Sequence, residues 1–242
     1  MLERIDVENV LFLDIETVPA FQEYAQLSER MQKLWDRKAE RLSANNGKPD
    51  ELSTPEALYG RAGIYSEFGR IICISVGAFH NSEFRIKSFA GHNERELLLE
   101  FAALLNKRYN RPEHLLCAHN GKEFDFPYIA RRMLVLGIPI PSILDLAGKK
   151  PWEVGHLDTM ELWKFGDYKN YTSLDLLAAI FDIPTPKDDI DGSKVAEVYY
   201  VQNDLPRIVH YCTKDVLTVA QIFRRYRSED LIDENAVVVV EG

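Results

Sequence analysis

The chain has 242 residues, 46% of them hydrophobic and 28% charged, with a formal net charge of −9. That length suits one large domain or two small ones around a substantial core. The acidic balance excludes a protein that coats long duplexes, because such binding runs on Lys and Arg displacing counterions, and no apolar run approaches the roughly 18 residues that span a bilayer.

The stretch Met1-Leu2-Glu3-Arg4-Ile5-Asp6 carries acids where a secretion signal has a basic and then an apolar region. Cys73, Cys117 and Cys212 are odd in number, widely spaced and free of any CxxC, so they read as reduced core thiols of a cytoplasmic protein.

In chain order, Val10-Leu11-Phe12-Leu13-Asp14-Ile15-Glu16-Thr17-Val18-Pro19 is predicted as an apolar strand ending in two acids spaced i, i+2. Side chains alternate across a strand, so Asp14 and Glu16 share a face. Two like charges there repel unless a cation lies between them or one member takes up a proton. The other reading is punctuation, with acids before a turn and Pro19 closing the strand. Residues 20–69 read as a helical insertion, with helical spacing from Phe21 to Trp35 and a polar Gly/Pro loop over 42–50. Residues 69–80 are almost continuously apolar and β-branched, as in a central strand covered on both faces. A tight turn at His80-Asn81-Ser82 leads into an alternating strand over 83–89, making a hairpin whose second strand lies near an edge.

From Asn93 to Tyr109 the residues Leu97, Leu98, Phe101, Leu104 and Leu105 recur at helical spacing, and Asn93 with Glu96 forms a candidate capping box. A short strand is predicted over 114–119, and a helix from Asp125 or Phe126 to about Leu136 with Pro127 in its first turn. Residues 155–160 give a last short strand. Helices follow from Thr172 or Ser173 to Phe181, from Asp191 or Ser193 to about Val201, and from Leu205 to Arg227. This order predicts an α/β fold, a mixed five-stranded sheet with helices on both faces in a single domain. The valine run at 237–240 would be a sticky edge if left bare, so it is expected to be covered, as an added strand or against a partner.

Two further segments carry candidate chemistry. Asp125 follows a strand at the start of a helix, where it reads either as an N-cap or as a functional acid. Tyr211 and Asp215 stand i, i+4 on one helix face, a spacing that also serves an ordinary surface hydrogen bond. Asp158 follows a strand and either supports a site or caps a helix. The sequence lacks GxGxxG, GxxxxGK[ST] and GxSxG, which leaves dinucleotide, P-loop and serine-hydrolase chemistry without support. Asp189-Ile190-Asp191-Gly192 is a faint calcium-loop match in which Lys187 and Val198 occupy ligand positions, and it reads better as a turn. The six histidines show no metal-ligand spacing.

Taken together, Phe12-Leu13-Asp14-Ile15-Glu16-Thr17, Asn120-Gly121-Lys122-Glu123-Phe124-Asp125-Phe126-Pro127 and Tyr211-Cys212-Thr213-Lys214-Asp215 resemble the three motifs of the DEDD superfamily of 3′–5′ exonucleases. The tyrosine four residues before the last acid marks the DEDDy branch, and the text is most similar to the proofreading exonuclease domain of family B DNA polymerases, standing without a polymerase. The resemblance runs from about residue 8 to 227. It implies a ribonuclease H-like fold and two Mg²⁺ or Mn²⁺ ions held by Asp14, Glu16, Asp125 and Asp215, with Tyr211 positioning the attacking water. It also implies substrate contacts at Thr17, Asn120 and Phe124, although Phe124 reads equally as core. The implied partner is the 3′ end of single-stranded nucleic acid, DNA favoured over RNA, with a replication or repair partner possible. Lys122, Arg131, Arg132, Lys149 and Lys150 read as phosphate contacts or as solvated charges. The segment at 20–69 is longer than the resemblance leads one to expect, which implies a reshaped path for the trimmed strand.

Overall fold

The computed structural model describes residues 2–45, 54–167, 171–184 and 190–240. Its strands are β1 (Val10–Pro19), β2 (Gly69–His80), β3 (Glu83–Ala90), β4 (Leu115–Ala118), β5 (Leu157–Asp158) and β6 (Val237–Val240), in the order β5-β4-β1-β2-β3-β6. β1, β4 and β5 run parallel, β2 is antiparallel to β1 and β3, and β6 is parallel to β3. The predicted five strands are therefore six. The valine run pairs with β3 from Phe84↔Val237 to Lys87↔Val240, so β3 is not left as the outer strand. The β2–β3 turn has Asn81 and Ser82 at φ 49° and 69°, the left-handed pair that matches hairpin twist.

The alternation of β1 sorts its side chains between two layers. Leu11, Leu13 and Ile15 pack with α3 (Glu94–Arg108) and α4 (Asp125–Val135) on one face. Val10 and Phe12 lie on the other, under α8 (Leu205–Tyr226). Cys212, Val216, Val219 and Phe223 form the buried stripe of α8 at helical spacing. Phe12 meets Phe79, Phe84 and Phe223 edge-on at 5.6–6.0 Å, so truncating it to Ala would cost about 3–5 kcal/mol. The even-numbered positions that follow Phe12 on this face are Asp14 and Glu16.

Between β1 and β2 the chain forms α1 (Glu29–Asn45), α2 (Pro55–Leu58) and a 3-10 helix at Tyr59–Ile64. Helix α1 starts later than the spacing predicts and runs through residues expected as loop. Phe21 is 46% exposed and so belongs to no buried helical stripe, whereas Ser28 Oγ accepts the Met31 N–H and starts the helix at Glu29. Residues 46–50 of the predicted loop lie outside the described residues. The segment has its own small core, in which Trp35 packs on Tyr59 and Phe68 and donates from Nε1 to Pro55 O at 2.7 Å.

Beyond β4, β5 is only two residues long, and Asp158 turns the chain directly into α5 (Thr159–Lys164). Helix α6 (Leu174–Ile180) is capped by Ser173, one of the two predicted starts. Helix α7 (Val195–Tyr200) begins after a turn in which Asp191 Oδ1 accepts from Ser193 N, while Lys187 and Asp189 lie outside the described residues. Among the described residues no helix is long and apolar enough to cross a membrane.

Candidate active site

β1 and β4 pair only from Val10↔Leu115 to Phe12↔Cys117, after which β1 runs on without that neighbour. Asp125 takes over at this point: its Oδ1 accepts the Ile15 N–H at 3.2 Å. The N-cap reading of Asp125 is thereby corrected. It is the first residue of α4, and its carboxylate reaches across to β1. The acid is tied to the strand between Asp14 and Glu16.

Helix α8 crosses the same end of β1. The Cys212 thiol donates to Asp14 O and Oδ2 at 3.4 and 3.3 Å, and the Tyr211 phenol donates to Asp215 one turn further on. Asp14, Glu16, Tyr211 and Asp215 together line a cleft of ≈ 560 Å³, which Thr17 and Phe124 also border. Asp125 stands behind that floor, 3% exposed. Four of the predicted acids are thus brought to one place, from β1, α4 and α8. Asn120 does not line this cleft. It holds a left-handed backbone at φ 62° beside a neighbouring hollow, and its Oδ1 is buried without a hydrogen-bond partner.

Electrostatics make the cluster unusual. Burial first, and then Glu16, Asp215 and Asp125, hold Asp14 well above the ordinary carboxylate range, and the Cys212 thiol pulls it only partly back. Glu16 is raised by burial, Asp215, Cys73 and Asp125. Asp125 is pushed up to about 8, mainly by burial, despite the amides that hydrogen-bond it. Tyr211 is raised far above a normal phenol, by burial and then by Asp215, Glu16 and Asp14, so it is an O–H donor at any ordinary pH. Among the described residues, the groups that act on Asp14 and Glu16 are acids or thiols, and none is a base. Ligand atoms of Asp14, Glu16 and Cys212 lie within 4.8 Å of one another. Burial also raises the Cys212 thiol, which keeps it a neutral donor and leaves carboxylate oxygens as the available ligands. Such a donor set suits a hard divalent cation.

The supporting shell was only partly readable in the sequence. Asp158 accepts from four backbone amides, those of Asn120, Lys122, Met160 and Glu161, and so fastens the loop before Asp125 to the start of α5. Of its two predicted roles it takes both. His119 bridges Thr159 Oγ1 and Thr172 O, and His156 joins Leu116 N to Ile143 O, so these histidines hold loops. Arg132 is corrected as a phosphate contact, because Glu94 and Ser66 O engage its guanidinium. Lys122 pairs with Glu161. Cys212 went unnoticed as a neighbour of Asp14, although its position between Tyr211 and Asp215, in register with inward Ile208 and Val216, is the signal.

The strand order and the carboxylate floor define an α/β domain of ribonuclease H-like fold. The chain belongs to the family described as a predicted 3′–5′ exonuclease related to the exonuclease domain of PolB, which it matches over residues 64–236. Asp14 and Glu16 precede that span. A DNA polymerase from Pyrococcus glycovorans is 23% identical over 150 residues, covering 55% of this chain and 18% of the polymerase. The solved family B DNA polymerase of Pyrobaculum calidifontis superposes with a TM-score of 0.52 at 16% identity, covering 90% of this chain and 24% of that one. This chain therefore spans about a fifth to a quarter of the polymerases that it matches.

Proposed function

We propose that the protein is a metal-dependent 3′–5′ exonuclease that hydrolyses the terminal phosphodiester of single-stranded DNA and releases nucleoside 5′-monophosphates. The observation that carries this reading is the convergence of Asp14, Glu16 and Asp215 on one cleft end with Asp125 behind them, the carboxyls of Asp14, Glu16 and Asp125 being raised by burial and by neighbouring acids. A repulsive cluster of this kind has no use in a binding module, whereas it fits a site filled by cations. The four acids would hold two Mg²⁺ or Mn²⁺ ions. When bound, such ions would stabilise the charge that develops in the displacement and make water a usable nucleophile near neutral pH.

The protein's own groups supply orientation. Asp125 is fixed by the Ile15 amide and Asp14 by the Cys212 thiol, so neither carboxylate must be ordered when substrate arrives. The Tyr211 phenol, kept protonated beside Asp215, orients the attacking water by hydrogen bonding and does not take its proton. Thr17 reaches the Tyr128 hydroxyl, which braces the wall of the cleft next to Glu16. Half-buried Phe124 would stack on a terminal base while packing on Tyr128 at 5.4 Å. DNA is favoured over RNA because the relatives are DNA polymerases.

The test uses 5′-labelled DNA and RNA oligomers with Mg²⁺, Mn²⁺ or a chelator, beside Asp14→Ala. A metal-dependent ladder shortening from the 3′ end, lost in the variant and faster on DNA, is expected. Failure to degrade either polymer with any metal would remove the exonuclease reading, and faster loss of RNA would reassign the sugar.

A further inference from the structure

The acidic cleft raises a problem for any polyanionic substrate: the strand beyond the reacting phosphate must also be received. Among the described residues that line the cleft, Arg61 is the sole Lys or Arg. It is exposed and, among the described residues, it has no hydrogen bond or ion pair. It sits in the 3-10 helix Tyr59–Ile64, where residues i and i+3 eclipse, so Arg61 and Ile64 stand on one face, and both line the cleft. Ile64 is 48% exposed although apolar.

This helix is held rigidly. Tyr59 and Ala62 are buried on its other side, and Tyr128 donates to the O of buried Gly63 at 2.7 Å. A Cβ on Gly63 would come within 2.9 Å of the Val18 carbonyl carbon, so the backbone is packed against the end of β1, just past Glu16 and Thr17. Arg61 is thus an exposed cation carried on an anchored backbone at the edge of an acidic site, offered by the segment between β1 and β2, and most of that segment precedes the family match.

We propose that Arg61 and Ile64 form the receiving wall for the nucleic-acid strand, with Arg61 binding a phosphate beyond the scissile one and Ile64 packing against the neighbouring nucleoside. The inference rests on the exonuclease reading. A guanidinium presents forked donors that match phosphate oxygens, and an aliphatic surface accepts a base or sugar face without reading its sequence.

The experiment compares a thymidine decamer with the 4-nitrophenyl ester of thymidine 5′-phosphate, which has the scissile phosphate and no second one, for wild type, Arg61→Ala, Arg61→Lys and Ile64→Ser. For Arg61→Ala the ratio of kcat/KM on the decamer to that on the ester should fall about tenfold, through KM. The slope of log kcat/KM on the decamer against log salt should flatten by about 0.7, the share of one phosphate contact on a single strand. Arg61→Lys should restore the salt slope, and Ile64→Ser should lower the ratio with the slope intact. An unchanged ratio and slope in Arg61→Ala, with wild type cleaving both substrates, would overturn this inference alone. Wild type cleaving neither would overturn the exonuclease reading and this inference with it.

Discussion

Glu94 and the acids gathered at the end of β1 are buried carboxylates solved in opposite ways. Glu94, at the start of α3, meets Arg132 of α4 through two hydrogen bonds of 2.9 and 2.7 Å, and its Oε1 also accepts the Ile71 N–H. Arg132 in turn donates to Ser66 O, so every charge in the pair has a partner. At the end of β1, Asp14, Glu16 and Asp125 stand together with Asp215, and the groups around Asp14 and Glu16 push protons on. The first arrangement is complete as folded. The second sets acid against acid, an arrangement that a proton or a bound cation would relieve.

The largest contrast is expected in rate. Asp14→Asn removes an anionic ligand and relieves repulsion, so hydrolysis of a labelled oligomer should fall about a thousandfold or more while the metal-free protein melts no lower than wild type, and even higher. A variant that kept its rate would show Asp14 to be mere strand punctuation. Glu94→Ala should do the reverse. It strands Arg132 in the interior and should lower urea-unfolding stability by about 3–5 kcal/mol, with the folded fraction retaining its rate. Equal losses of rate and stability in both variants would erase the distinction. Smaller again is Tyr211→Phe, which keeps the ring and removes the donor. A loss of about a hundredfold in kcat with KM held is expected, read from steady-state kinetics.

Much of this contrast was legible in the sequence because its elements are local. The i, i+2 spacing of Asp14 and Glu16 on a strand and the i, i+4 spacing of Tyr211 and Asp215 on a helix fix shared faces by backbone geometry alone. Five of the six strands, in their order along the chain, followed from apolar runs and turns. What escaped depends on contacts between distant segments. Arg132 looked like any surface cation until α4 was laid against Glu94 and Ser66. Asp125 looked like a helix cap because nothing in its neighbourhood shows that β4 stops short beside Ile15. The sixth strand was open for a related reason: a four-residue valine run fits a sheet edge or a partner equally, and only the free side of β3 decides.

The finest test of the comparison is its pH dependence without metal. Asp125 lies at about 8 in the fold against about 3.9 in an unfolded chain, and Asp14 and Glu16 are shifted the same way. Between those values the folded state holds protons that the unfolded chain has released, so stability falls as pH rises. The contribution is full below about pH 4 and is lost on passing pH 8, the reverse of a salt-bridged acid. The melting temperature of chelator-treated protein should therefore decline from pH 5 to 8.5. Asp125→Asn should flatten the decline. Millimolar Mg²⁺ should raise the melting temperature most at pH 8 and least at pH 5, where protons already neutralise the acids, because a ligand that binds only the folded state stabilises in proportion to its occupancy. A melting temperature that is flat with pH and blind to Mg²⁺ would mean that the four acids are reconciled within the fold, as Glu94 is, and that the cleft holds no cation.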